Sequence, residues 1–206
     1  MNQRSLHTGF TLTELMVTLS ISAILLTVAT PTFESVIKGN QVVSHARDLA
    51  SALSYARSEA ISRGDEIGVC GTVDGVSCNG SNNWSGGWLV FVDDGMGGGT
   101  AYDSLRTGNE ELLTVYKHDG TNLLEVFDSG GATLSAIGFK ARGPLRQNDS
   151  VTLRICEADR EIKYARAVLL GRTGRVSRSF DIHDGVGNSS ADSIYEDVNG
   201  NNLTCL

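Results

Sequence analysis

Three sets of residues in this 206-residue chain are of types and spacings that do chemistry. The first is Gly9-Phe10-Thr11-Leu12-Thr13-Glu14, which places an acidic residue at the mouth of an apolar run. A carboxylate facing lipid is costly unless it is paired, so Glu14 calls for a cationic partner. The second is Gly171-Arg172-Thr173-Gly174-Arg175-Val176-Ser177-Arg178. Guanidinium forks suit phosphate oxygens, and a turn projects them clear of a sheet. The third is the four cysteines, Cys70, Cys78, Cys156 and Cys205. They lack the C-x2-C pairs of a four-cysteine metal site. His7, His45, His118 and His183 are scattered along the chain. There is no Cys/His pair, no nucleophile elbow and no phosphate-binding loop. No catalytic residue, metal site or cofactor is therefore assigned, and no enzymatic role is expected.

The elements that position these residues are legible as periodicities. No charged residue lies between Glu14 and Glu34, and the 19 intervening residues are mostly apolar. A helix of about 20 such residues spans a hydrocarbon core. Its Ser and Thr hydroxyls are expected to bond to carbonyls one turn back. Three readings compete for this run. One is a cleaved signal peptide, with Thr27 and Ala29 as the small residues before the cut. Another is a plain anchor. The third rests on Glu14, from which a signal peptide gains nothing. Past Pro31, which is expected to kink the helix, Val42, Ala46, Leu49, Leu53, Ala56 and Ala60 recur at helical spacing. Gly64 is the expected stop.

Beyond it, eight stretches read as strands: 66–70, 88–93, 112–118, 123–127, 134–139, 151–156, 161–170 and 174–180. Gly, Asn and Asp turns separate them. One long helix, half apolar and half amphipathic, followed by antiparallel strands predicts an α+β fold with the helix packed on an antiparallel sheet.

The net charge of −7 argues against nucleic acid on average. It is not evenly spread. Ten basic residues lie between Lys140 and Arg178: Lys140, Arg142, Arg146, Arg154, Arg160, Lys163, Arg166, Arg172, Arg175 and Arg178. Four acidic residues accompany them, so this segment is +6 and the remainder −13. The field of such a segment is local at physiological salt. Asp93, Asp94 and Asp103 flank a glycine-rich loop, and Asp181, Asp184, Asp192, Glu196 and Asp197 crowd the tail. Neither group has EF-hand spacing, and both read as solvated turns.

The junction at Gly9 resembles the type IV prepilin cleavage site: Gly, then Phe-Thr-Leu-x-Glu, then a long apolar helix. The stretches LASALSYARSEAISRG (49–64), GGWLVFVDD (86–94) and ARAVLLGRTGRVSRS (165–179) resemble the GspH/FimT branch of type IV pilin-like proteins. That family holds minor pilins and minor pseudopilins. The tail at Leu203-Thr204-Cys205-Leu206 is more similar to the pilus branch. The resemblance implies that prepilin peptidase cuts between Gly9 and Phe10 and that the new amine of Phe10 is methylated. It implies that Glu14 pairs with a neighbouring subunit's N-terminal amine during assembly; two opposite charges attract strongly in low dielectric.

The implied organisation is a leader over 1–9, a transmembrane and assembly helix over 10–38, and a periplasmic globular domain over 39–206. The implied location is the inner membrane, single-pass, then the pilus or cell surface. The implied partners are the peptidase, other major and minor pilins, and the membrane. The alternative is a minor pseudopilin of a type II secretion system. Outside the cytoplasm disulfides are expected. Of the three pairings four cysteines allow, Cys70–Cys78 with Cys156–Cys205 is favoured.

FimT-like proteins linked to natural transformation carry a C-terminal Gly-Arg-x-Arg motif that contributes to DNA binding. Gly174 and Arg175 match its first two positions. Ser177 stands where the second Arg belongs, and Arg178 is one place late. In a strand that shift turns the side chain to the other face. Arg172 compensates on this reading, and double-stranded DNA, bound without sequence preference, is the implied ligand. The competing reading is a solvated basic turn or a contact with acidic neighbouring pilins.

Overall fold

The structure, a computed structural model, describes residues 10–95, 102–106, 109–179 and 197–205, with the backbone alone at 28–32 and 35. Gly9, His7, His183, Asp181, Asp184, Asp192 and Glu196 lie outside the described residues. The chain divides into two units, Met1–Lys38 and Gly39–Leu206.

A single helix assignment, α1 (Leu12–Arg63), runs through Pro31 and across both units. Thr11 caps its start, its Oγ1 accepting from the Glu14 N–H at 3.2 Å. That satisfies one of the amides a helix N-terminus leaves without a partner. In the first unit the hydroxyls of Thr18, Ser20 and Thr27 donate to the carbonyls of Leu15, Met16 and Ile24. Polar side chains are thus satisfied within the apolar half of the helix. Among the described residues no helix is long and apolar enough to cross a membrane. At the far end Gly64 takes a positive φ of 71°, and its N–H donates to the Ala60 carbonyl at 3.1 Å. A glycine in this left-handed conformation closes the helix without a Cβ penalty.

The second unit holds eight strands. They are β1 (Ile67–Gly71), β2 (Gly87–Val92), β3 (Leu112–Lys117), β4 (Leu123–Asp128), β5 (Ala136–Phe139), β6 (Val151–Cys156), β7 (Arg166–Leu170) and β8 (Val176–Arg178). They form two four-stranded antiparallel sheets rather than the one expected, in the orders β3-β2-β1-β5 and β4-β6-β7-β8. The expected strand over 161–170 is also corrected. Ile162–Tyr164 form a 3₁₀ turn before β7, because Tyr164 and Ala165 donate to the carbonyls of Glu161 and Ile162. The Glu161 N–H is already held by the Glu157 carboxylate at 2.9 Å.

All six stripe positions, Val42, Ala46, Leu49, Leu53, Ala56 and Ala60, are buried. They share one core with Ile67, Val69, Val90 and Val92 of the first sheet and with Val126, Leu153, Ile155 and Val168 of the second. Removal of this apolar surface from water is the main force holding helix and sheets together. The opposite face of the first sheet buries Cys70, Leu89 and Phe91 against Leu105. The opposite face of the second buries Cys156 and Ala167 under Leu203 of the tail.

Candidate functional site

At the N-terminal site, Phe10 is 85% exposed and Glu14 sits in the first turn of α1. A negative charge in a helix's first turn is favoured by the helix dipole. The Glu14 carboxylate has no hydrogen-bond or ion-pair partner among the described residues. Around it Leu12, Leu15, Met16, Leu19, Ile24 and Leu26 are all exposed. An apolar surface this extensive is one that another body covers.

The second site is the turn joining β7 to β8. Gly174 donates to the Gly171 carbonyl at 2.8 Å, and Gly171 donates to Arg175 at 3.0 Å. Arg172, Arg175 and Arg178 are exposed. Gly174 itself is buried, with φ 75°, so its role is to shape the turn rather than to touch a ligand. Arg178 pairs in register with Val168, and Ser177 with Leu169. Arg178 therefore lies on the sheet face of Val168 and Val176, opposite to that of Ser177. Arg172 Nη2 stands 3.5 Å from Asp149 Oδ1. The Asp149 carboxyl is held below its ordinary range, first by the Ser129 hydroxyl at 2.8 Å and less by Arg172. Arg175 and Arg178 have no partner among the described residues.

The fold divides the ten basic residues among four places. Arg146 is engaged by Glu66 at 2.6 Å. Arg154 lies opposite Glu125 on the outer face of the second sheet and pairs with it. Arg160, Lys163 and Arg166 belong to the β6–β7 connection and the start of β7, at the end opposite the turn, with Lys163 bound to Glu161 at 2.6 Å. Lys140 and Arg142 remain, on the 140–143 turn, and that turn abuts the 171–174 turn. Leu145 donates to the Arg172 carbonyl at 2.9 Å.

The four cysteines form two disulfides, Cys70–Cys78 and Cys156–Cys205. The first closes a loop whose Thr72 and Asp74 side chains accept from the amides of Gly75, Val76 and Ser77. The second fixes the tail to β6.

Three arrangements were not visible as sequence signals. His45 of α1 and His118 beyond β3 bring their rings to 4.1 Å, with Trp88 4.6 Å from His118. His45 Nδ1 lies 3.1 Å from Asn122 Nδ2. Burial pushes both imidazoles below their ordinary value, and His118 is lowered further by its neighbour. Asp93 is fully buried, its carboxylate accepting from the Ser104 N–H at 2.6 Å. Burial pushes it up to about 6. Glu157, Asp159 and Glu161 bring carboxylate oxygens within 4.8 Å of one another. The Glu161 amide and Lys163 already engage two of the three.

A long helix with an exposed apolar start, followed by a sheet domain on its amphipathic half, defines the class: a pilin-like subunit. The prokaryotic N-terminal methylation motif matches residues 4–30. The family described as Type II transport protein GspH matches residues 45–174, well over half of the chain, and the chain belongs to that family. No curated protein matches it.

Among solved structures, the type IV minor pilin FimU of Pseudomonas aeruginosa is similar in two crystal forms. One shows 21% identity over 66% of this chain and 91% of FimU, with a TM-score of 0.48. The other shows 22% over 67% and 87%, also at 0.48. The minor pseudopilin EpsH of the Vibrio cholerae type 2 secretion system shows 16% identity over 66% and 94%, at 0.44.

Proposed function

We propose that the chain is a minor type IV pilin. Prepilin peptidase cuts it after Gly9 and methylates Phe10. The 10–38 segment then holds it in the inner membrane, with 39–206 in the periplasm. From there it enters a pilus or its tip complex, and Glu14 pairs with the N-terminal amine of a neighbouring subunit. The observation that carries this reading is a Glu14 carboxylate without a partner among the described residues, amid exposed apolar side chains and inside a matched methylation motif. Burying that carboxylate without a counter-charge costs several kcal/mol, so assembly and pairing go together. Gly9→Ser should leave an unshifted precursor on a gel. Glu14→Ala should be processed normally yet be missing from sheared pili. Normal recovery of Glu14→Ala in the pili would sink the proposal. Unchanged pili together with lost protein secretion would favour the pseudopilin instead.

A second reading is supported by the exposed Arg172, Arg175 and Arg178: capture of double-stranded DNA through its phosphates, for uptake. The full mature chain should then bind duplex DNA with steep salt dependence. Absence of binding even at low salt would remove this reading.

A further inference from the structure

We infer that the phosphate-binding surface is built from two interlocked turns, and that Lys140 and Arg142 belong to it alongside Arg172 and Arg175. The inference rests on the DNA reading above and adds residues that no Gly-Arg-x-Arg motif contains.

The first turn is closed by Gly143 donating to the Lys140 carbonyl at 2.7 Å, with Lys140 donating onward to Pro144 at 2.9 Å. The second is closed by Gly174 donating to Gly171 at 2.8 Å. Both closing glycines have positive φ, 92° and 75°. They lie against each other: a Cβ placed at Gly174 would fall 1.9 Å from the Gly143 oxygen. Arg57 of α1 donates from Nε to that same oxygen at 3.4 Å, tying the first turn to the helix. Arg57 is thus a positioning residue, not part of the binding surface.

The consequence is geometric. Arg142 precedes one closing glycine and Arg175 follows the other. With about 3.8 Å between successive Cα atoms, their backbones lie within ~14 Å of each other. A duplex carries one charge per about 3.4 Å along each strand, so that span matches roughly four phosphates of one strand. Arg142 and Arg175 are exposed and Lys140 is half-buried. None of the three has an ion-pair partner among the described residues. Arg172 is engaged only at 3.5 Å by Asp149. Backbone hydrogen bonds from Gly143, Leu145 and Gly174 hold the two turns in place, so the ordering cost on binding falls on the four side chains and not on the backbone.

The test is fluorescence anisotropy of a short labelled duplex with the full mature chain in neutral detergent, across about 50–300 mM salt. Four phosphate contacts give a slope of log affinity against log salt of about −4. Lys140→Gln/Arg142→Gln should reduce that slope by about 2 and weaken binding at every salt, as should Arg172→Gln/Arg175→Gln. Melting temperatures of both variants check that the fold is kept. If the 140/142 variant keeps the wild-type slope while the 172/175 variant loses it, the two-turn inference is overturned and the DNA reading survives. If wild type binds no duplex at the lowest salt, both fall. In that case, exclusion of the 140/142 variant from pili would reassign the surface to contact with an acidic neighbouring subunit.

Discussion

Gly174 packs against Gly143 so closely that a side chain at 174 has nowhere to go: its Cβ would lie 1.9 Å from the Gly143 carbonyl oxygen. The neighbour in the way is backbone, which cannot swing aside as a flexible side chain would. The positive φ of 75° adds a cost of about 1–2 kcal/mol for any residue with a Cβ. Gly174→Ala is therefore expected to destabilise the domain by about 2–4 kcal/mol, or roughly 5–15 °C in melting temperature for a domain of this size. Gly171→Ala is the matched control. Its Cβ would meet only the Arg175 oxygen, at 4.0 Å, and the melting temperature should change little. Equal losses in thermal melts of the two variants would refute the packing argument.

The two disulfides should differ in weight. Cys156–Cys205 closes a separation of 49 residues and Cys70–Cys78 one of 8. In the chain-entropy picture the first contributes about 4 kcal/mol and the second about 2.5 kcal/mol. The longer link also keeps Leu203 buried over Cys156, Ala165 and Ala167. Cys156→Ser/Cys205→Ser should lower the melting temperature more than Cys70→Ser/Cys78→Ser, and proteases should then trim the tail. Greater loss from the 70/78 pair would show that the small loop, not the tail, governs stability.

How far this structure could be foreseen depends on how local each signal is. The buried stripe from Val42 to Ala60 was legible because a helix repeats its face every 3.6 residues. The eight strand stretches were legible because turn residues bound them. Their division into two sheets was not, since strand pairing is settled between residues far apart in the chain. β1 and β2 are buried on both faces and show no alternation from which a partner could be read. The 161–170 stretch failed for a local reason: the Glu157 carboxylate takes the Glu161 amide and starts a turn. At the basic turn, Gly174 fits a binding motif in the sequence, and only the structure adds that close backbone packing requires a glycine there. Lys140 and Arg142 were seen as charges, but their place beside Arg172 comes only from the docking of two turns. The same holds for His45 and His118, which looked scattered and are in ring contact.

That ring contact predicts acid sensitivity. Both imidazoles are pushed below the ordinary value of 6.5 by burial, and His45 lowers His118 further. The unfolded chain therefore takes up protons first. Stability from this pair is complete above about 6.5 and falls as pH drops below it. Asp48 and Asp119 face the pair and offset part of the loss. His118→Gln, which cannot be protonated, should flatten the decline in melting temperature below pH 6.5. A variant as acid-sensitive as wild type would show that the decline arises elsewhere.

Asp93 acts in the opposite direction over an overlapping range. Burial raises its carboxyl from 3.8 to about 6, and the nearby Glu110 and Asp103 add to the rise. The folded state therefore holds its proton more tightly than the unfolded chain does. Its contribution to stability declines as pH climbs from about 4 to about 6 and is level beyond. The histidine pair gains stability in the upper part of that window, so wild type shows a shallow profile in which the two trends oppose. Asp93→Asn keeps a side-chain acceptor for one of the Asp103 and Ser104 amides now bonded to it and removes the titration. Its melting temperature should rise more steeply than wild type's between pH 4 and 6.5, because the trend that opposes the histidines is removed. Combining Asp93→Asn with His118→Gln should make that rise shallower, leaving the part due to His45. An Asp93→Asn profile that parallels wild type would mean that this carboxyl titrates in its ordinary range, despite its burial.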